Sequence, residues 1–184
     1  MAQMLRAIGL MSGTSLDGVD AALLATDGDT VERTGHALTL PYDDTTRDAL
    51  RGCFGGAGDV PLATRLLTEK HAEAVSALLS MADVAAGDVD VIGFHGQTIV
   101  HRPAEGLTWQ IGDGARLAAM AGIDVVCGFR SRDMAAGGEG APLAPLYHAA
   151  LVRGIDESPI AVLNIGGGAN VTWIDGSRII AFDT

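Results

Sequence analysis

Gly9-Leu10-Met11-Ser12-Gly13-Thr14-Ser15-Leu16-Asp17-Gly18-Val19-Asp20 places a turn rich in glycine and hydroxyl groups between two runs that read as strands. Leu5 to Met11 is apolar enough for a buried strand, and Val19 to Thr26 resumes as a second, with no helical spacing between them. The stretch reads as a hairpin that can cradle a phosphate. Backbone N–H groups at Gly13, Thr14 and Gly18 can approach oxygens closely, and the hydroxyls of Ser12, Thr14 and Ser15 add donors. No G-K-[ST] follows, which excludes a Walker loop, and the spacing G-x-S-x-x-G excludes the G-x-S-x-G nucleophile elbow. An ordinary glycine-rich hairpin turn is the competing reading.

Outward from this turn, Val31–Leu40 follows as a third strand after the turn Asp27-Gly28-Asp29, and Pro41 ends it. Three consecutive antiparallel strands then give way to alternating helix and strand. Asp44–Arg51 reads as a short helix, Gly52 to Gly58 as a break, and Pro61 to Ala86 as the longest helix, with Leu62, Leu66, Leu67, Ala74, Leu78 and Met81 facing inward. Val89–Phe94 reads as a buried strand, Thr98–His101 as an exposed extension, Gly112–Ala121 as a helix and Asp124–Phe129 as a parallel strand. Pro142–Val152 reads as a helix with proline in its first turn. Ile160–Ile165, Val171–Ile174 and Arg178–Phe182 are three more strands, and Asn164-Ile165-Gly166-Gly167-Gly168 sets a second glycine-rich turn after the first of them.

The 184 residues can bury one sizeable core or form one lobe of something larger. A formal net charge of -11 argues against non-specific nucleic-acid or anionic-membrane binding, though not against a phosphorylated ligand held by local turns and arginines. Two cysteines, Cys53 and Cys127, with no C-x-x-C pair, make a disulfide framework or structural zinc site a poor fit and suit a reducing compartment. With no leader pattern before Met4 and no run of membrane-spanning length, the cytoplasm is the expected location.

Several polar residues fall where strands end, the edge at which ligands gather in open α/β sheets. His95, Gln97 and Thr98 follow Val89–Phe94 and can supply hydrogen bonds to a polar ligand, while a lone His beside a strand is also an ordinary structural group. Arg130 and Asp133 flank a loop where the arginine fork can clamp a carboxylate or phosphate; the alternative is a local ion pair that fixes the loop. Asp17 inside the turn can meet a magnesium ion, directly or through water, or can close an Asx-turn. Gly166, Gly167 and Asn170 form the second candidate phosphate turn. Gly137-Gly138-Glu139-Gly140-Ala141-Pro142 reads as a junction into a helix, and Trp109 as either a ligand-lining or a core aromatic.

Taken together, Gly9 to Asp20, Gly93-Phe94-His95-Gly96-Gln97-Thr98 with His101 and Pro103, Gln110-Ile111-Gly112-Asp113, Phe129 through Leu143, Asn164-Ile165-Gly166-Gly167 with Asn170, and Phe182-Asp183-Thr184 resemble the anhydro-N-acetylmuramic acid kinase family. That family sits within the actin, sugar-kinase and Hsp70-like ATPase superfamily. The resemblance implies an α/β fold: a ribonuclease H-like, actin-like ATPase lobe whose mixed sheet opens with three antiparallel strands and carries helices on both faces. It divides the chain into a first lobe at 1–158 and the opening strands of a second at 159–184. It implies ATP bound by Ser12, Gly13, Thr14, Ser15, Leu16, Asp17, Gly18, Val19, Gly166 and Gly167, with Mg2+ at Asp17. It further implies an amino-sugar substrate at His95, Gln97, Thr98, Arg130 and Asp133, and Asp183 as the general base that takes a proton from water. The activity implied is water-assisted opening of the 1,6-anhydro bond with phosphorylation of the 6-oxygen. The implied partners include no nucleic acid and no membrane, and a homodimer is compatible with them. A nucleotide-binding or interaction module of the same superfamily, without sugar chemistry, is the alternative. Gly128 and Glu139 depart from the family pattern, which usually has Asp and often Gln there. Members run to roughly twice this length and carry a second lobe.

Overall fold

Residues 3–165 and 169–183, apart from the side chain of Asp183, are described by the structure, a computed structural model. The opening ribbon follows the pattern in the sequence: β1 (Leu5–Ser12), β2 (Gly18–Thr26) and β3 (Val31–Pro41) run antiparallel. β4 (Val91–Arg102) then lies parallel to β1 and carries β5 (Leu107–Ile111), antiparallel, and β6 (Val125–Cys127), parallel, giving a six-stranded mixed sheet. The helices are α1 (Asp44–Gly52), α2 (Val60–Ala82), α3 (Gly114–Ala121), α4 (Phe129–Ala135) and α5 (Pro145–Val152). Asp43, Asp59 and Asp113 cap the first three, each carboxylate accepting from a backbone N–H of the first turn.

Strand alternation decides which face carries the core. Ile8 and Leu10 of β1, Val19, Ala21 and Leu23 of β2, and Ile92 and Phe94 of β4 are buried in one cluster with Leu50, Leu67, Ala74, Val75, Leu78 and Leu117 from α1, α2 and α3. The opposite face carries the ring of Phe129, at the start of α4, over Gly93, and beyond it a shallow hollow of about 530 Å³ lined by Gly9, Met11, Ala22 and Ala37. Cover of the two faces is therefore unequal, where helices on both were expected. Met11 stands 41% exposed on the thinly covered side.

A second sheet of three antiparallel strands, β7 (Ile160–Ile165), β8 (Ala169–Asp175) and β9 (Arg178–Asp183), closes the described chain. Thr172 and Ile174 are buried, and α5 touches β8 and β9 as well as β3, with His148 Nδ1 2.8 Å from Thr172 Oγ1. Leu163, Ile165 and Phe182 are exposed.

Other boundaries differ from the sequence reading for local reasons. Gly128, at φ 74, turns the chain after a three-residue β6, so the strand expected to reach Phe129 stops early and Arg130 and Asp133 sit on α4 instead of in a loop. The expected extension at Thr98–His101 is the second half of β4, paired with β5. That partner strand had no counterpart in the sequence reading, although Leu107, Trp109 and Ile111 alternate with polar residues. Left-handed Asp83 ends α2 four residues before the expected stop. α5 begins at Pro145 and not at Pro142.

Candidate active site

The parallel strands β1, β4 and β6 bring three predicted segments to one edge of the sheet. The Gly13–Asp17 turn follows β1, His95–Thr98 lie in the middle of β4, and Arg130 and Asp133 follow β6. A bulge in β4 sorts the middle segment. Leu10 pairs with Phe94 but Ser12 pairs with Gln97, so β4 carries one extra residue there, absorbed at Gly96 with φ 71.

In the turn, Leu16 N–H closes onto Gly13 O at 3.1 Å, and Leu16 adopts a left-handed φ of 57. Thr14, Ser15 and Asp17 are exposed, and among the described residues no internal acceptor takes the N–H groups of Thr14 or Ser15. Those four features fit an anion-receiving turn. The remaining predicted residues of the run are placed differently. Ser12 is buried: its hydroxyl donates to Gln97 Oε1 at 2.5 Å and accepts from Tyr42 Oη at 2.7 Å. Leu16 and Val19 are buried in the core, and a Cβ at Gly18 would collide with Leu40 O. The need for glycine at 18 thus comes from the close approach of β3, where the sequence reading had credited it to phosphate.

Gln97 is likewise withdrawn from the surface: wholly buried, it accepts from Ser12 and donates from Nε2 to Thr98 O at 3.2 Å. It joins β1 to β4 from within the core, where the sequence places it among surface donors. Thr98 remains half-buried with its hydroxyl accepting from Gln110 Nε2.

His95 is a neutral support for Arg130. Its Nδ1 lies 2.8 Å from Gly96 O and so carries the proton, leaving Nε2 to accept from Arg130 Nε at 2.8 Å. Burial first, then the adjacent Arg130 charge, hold its pKa below the ordinary histidine value, against the Gly96 hydrogen bond that pulls the other way. Both ring nitrogens are thereby engaged within the protein, and His95 positions Arg130. Arg130 also donates from Nη1 to Gly140 O at 2.6 Å, while Asp133 Oδ2 accepts from Gly140 N at 2.7 Å. The two predicted residues hold Gly140 by its C=O and its N–H and so shape the loop after α4. A Cβ at Gly138 would run into the Asp133 carboxylate, so that loop needs glycine there. Beside it, His95, Trp109, Gln110, Gly128 and Ser131 border a pocket of about 190 Å³.

Gly166 and Gly167 lie outside the described residues. Asp183 ends β9 with its backbone opposite Asn170. Among the described residues no group of three His, Cys, Asp or Glu could hold a metal ion. The exposed Asp17 carboxylate, with no protein hydrogen bond among the described residues, suits the one-carboxylate share of a magnesium ion otherwise held by phosphates and water. Tyr42 and Arg47 bear on this turn and escaped the sequence reading, because their contacts cross from the β3–α1 junction and leave no local spacing signal.

Strand order and site together define a mixed α/β protein whose glycine-rich turn and arginine-bearing helix open at the carboxyl edge of its parallel strands. The family model "Anhydro-N-acetylmuramic acid kinase" matches residues 5–184, and the chain belongs to that family. A protein of that name from Paramagnetospirillum magneticum is 58% identical over 179 residues, covering 97% of this chain and 50% of the relative. Another from Azorhizobium caulinodans is 53% identical, covering 98% of this chain and 52% of the relative. The chain spans about half the length of the curated relatives it matches. Among solved structures, an exopolyphosphatase-like protein superposes with a TM-score of 0.46 at 11% identity, covering 98% of this chain and 50% of its own. No helix among the described residues is long and apolar enough to cross a membrane.

Proposed function

We propose that this chain is the first half of an ATP-dependent kinase that converts 1,6-anhydro-N-acetylmuramic acid, with water, into N-acetylmuramic acid 6-phosphate and ADP. The observation that carries the reading is the family match over residues 5–184, supported by the exposed turn and the Arg130 loop at one sheet edge. Water adds to the anomeric carbon as the C1–O6 bond breaks. The freed 6-oxygen attacks the γ-phosphorus, and ADP leaves. Asp183 takes the proton of the attacking water. Thr14, Ser15 and Asp17 receive the ATP phosphates, and magnesium at Asp17 would neutralise the charge that develops on them. Arg130, held by His95 and Gly140, brings its positive charge to the carboxylate of the substrate's lactyl group.

In this reading residues 1–158 form the first lobe and 159–184 open the second, with the cleft between them. Such an enzyme works in the cytoplasm, where ATP is available. The test joins this chain to the second half of the Paramagnetospirillum magneticum relative and supplies ATP, magnesium and the anhydro sugar. The 6-phosphate, identified by phosphorus NMR, is expected from the joined protein and not from its Asp183→Asn variant. ATP consumption that ignores the sugar would overturn the reading.

A further inference from the structure

The turn that receives phosphate in this reading is not held by its own residues alone. Its middle and its far foot are gripped from the junction of β3 and α1. Arg47 Nε donates to Leu16 O at 3.2 Å, and its Nη2 donates to Tyr42 O at 2.8 Å. Tyr42 N–H donates to Asp17 O at 3.2 Å, and Tyr42 Oη donates to Ser12 Oγ at 2.7 Å. Tyr42 and Ser12 are buried, and Leu16 is 1% exposed.

These bonds fix peptide planes as well as positions. In a trans peptide the N–H points opposite to the C=O that precedes it. With Leu16 O drawn toward Arg47, the Asp17 N–H is turned away from the core. With Gly13 O taken by Leu16 N–H, the Thr14 N–H is turned out of the turn's interior in the same manner. Two peptides of one glycine-rich turn so aimed, with the Ser15 N–H between them also without an internal acceptor among the described residues, present their donors to an anion. The left-handed Leu16 is the costly element, since a branched side chain is disfavoured there. Burial of its side chain and the guanidinium on its carbonyl hold it in place.

We infer that Arg47 and Tyr42 are positioning residues for the phosphate turn, setting the outward aim of the Thr14 and Asp17 amides through Leu16, Asp17 and Ser12. This rests on the nucleotide reading of the turn. Arg47 acts as a fork, because one point charge cannot meet Leu16 O and Tyr42 O in the same geometry. Lysine therefore does not replace it.

Steady-state kinetics of the joined protein, varying ATP and the anhydro sugar separately, test the inference. Arg47→Ala and Arg47→Lys are each expected to raise KM for ATP about tenfold or more, as for loss of a charged hydrogen bond, and to leave KM for the sugar within about twofold. Tyr42→Phe raises KM for ATP by a smaller factor. Asp44→Asn, which removes the exposed carboxylate 2.6 Å from Arg47 Nη1, changes neither constant. Because Arg47→Ala can also loosen α1, amide NMR of the 184-residue chain provides a second readout: magnesium-ATP shifts at Thr14 and Asp17 should be lost in Arg47→Lys while the core resonances stay. An unchanged KM for ATP, or equal rises in both KM values, overturns the inference while the nucleotide reading stands. No saturable ATP dependence in the unsubstituted protein overturns both.

Discussion

Ile8 and Ile165 are both strand isoleucines, yet the first is wholly buried in the six-stranded sheet and the second stands 76% exposed on the three-stranded one. The difference lies in what packs on each sheet. Three helices supply Leu50, Leu67, Leu78 and Leu117 to the first, while α5 packs against β8 and β9 of the second. The turn and the Arg130 loop are therefore anchored on strands with a core beneath them. Asp183 stands on a ribbon with an exposed apolar side. Free energy from burial is concentrated in the first sheet, and order in the two sheets should differ accordingly.

Substitutions can break or sharpen that contrast. The largest loss is expected at Leu67, wholly buried on α2, where Leu67→Ala should cost about 2–5 kcal/mol in urea unfolding. Acid comes next. His71 is wholly buried, its Nε2 has no hydrogen-bond partner among the described residues, and its ring meets Phe94 edge-on at 4.8 Å. Burial lowers its pKa from 6.5 to about 4. The folded state thus binds this proton less readily than the unfolded chain, so its contribution is present above about pH 6.5 and is lost as pH falls toward 4. The full span amounts to roughly 3 kcal/mol, and His71→Leu should flatten that limb of the stability profile. Ser12→Ala follows, at about 1–3 kcal/mol, because Tyr42 and Gln97 both lose a buried partner. Smallest is Leu163→Ser, at 57% exposure, expected within about 0.5 kcal/mol but with less binding of a hydrophobic dye. A cost at Leu163 approaching that at Leu67 would erase the contrast between the sheets.

The opening ribbon was legible because strand length, alternation and the Asp27-Gly28-Asp29 turn all act within a few residues. The turn's exposed tip was legible for the same reason. What escaped depends on distant partners. Ser12 and Gln97 look like surface donors in the sequence and become internal links only because the Gly96 bulge brings them face to face, 85 residues apart. Gly18 carries the same lesson: a glycine beside a hydroxyl-rich turn suggests a ligand, whereas its missing Cβ makes room for Leu40. Tyr42 and Arg47 lie beyond a strand-ending proline with no motif of their own, and α4 forms where Arg130 and Asp133 read as flanking a loop. Asp183 was read from the family motif, and the strand pairing adds its register opposite Asn170.

Amide NMR of this chain, titrated with magnesium-ATP, bears most directly on the claim that the Gly13–Asp17 turn receives the nucleotide phosphates. The account predicts saturable shifts centred on Thr14, Ser15 and Asp17, weakened by Asp17→Asn, with the open hollow around Gly9 and Ala37 unmoved. Shifts confined to that hollow, or none at millimolar ATP, would contradict it.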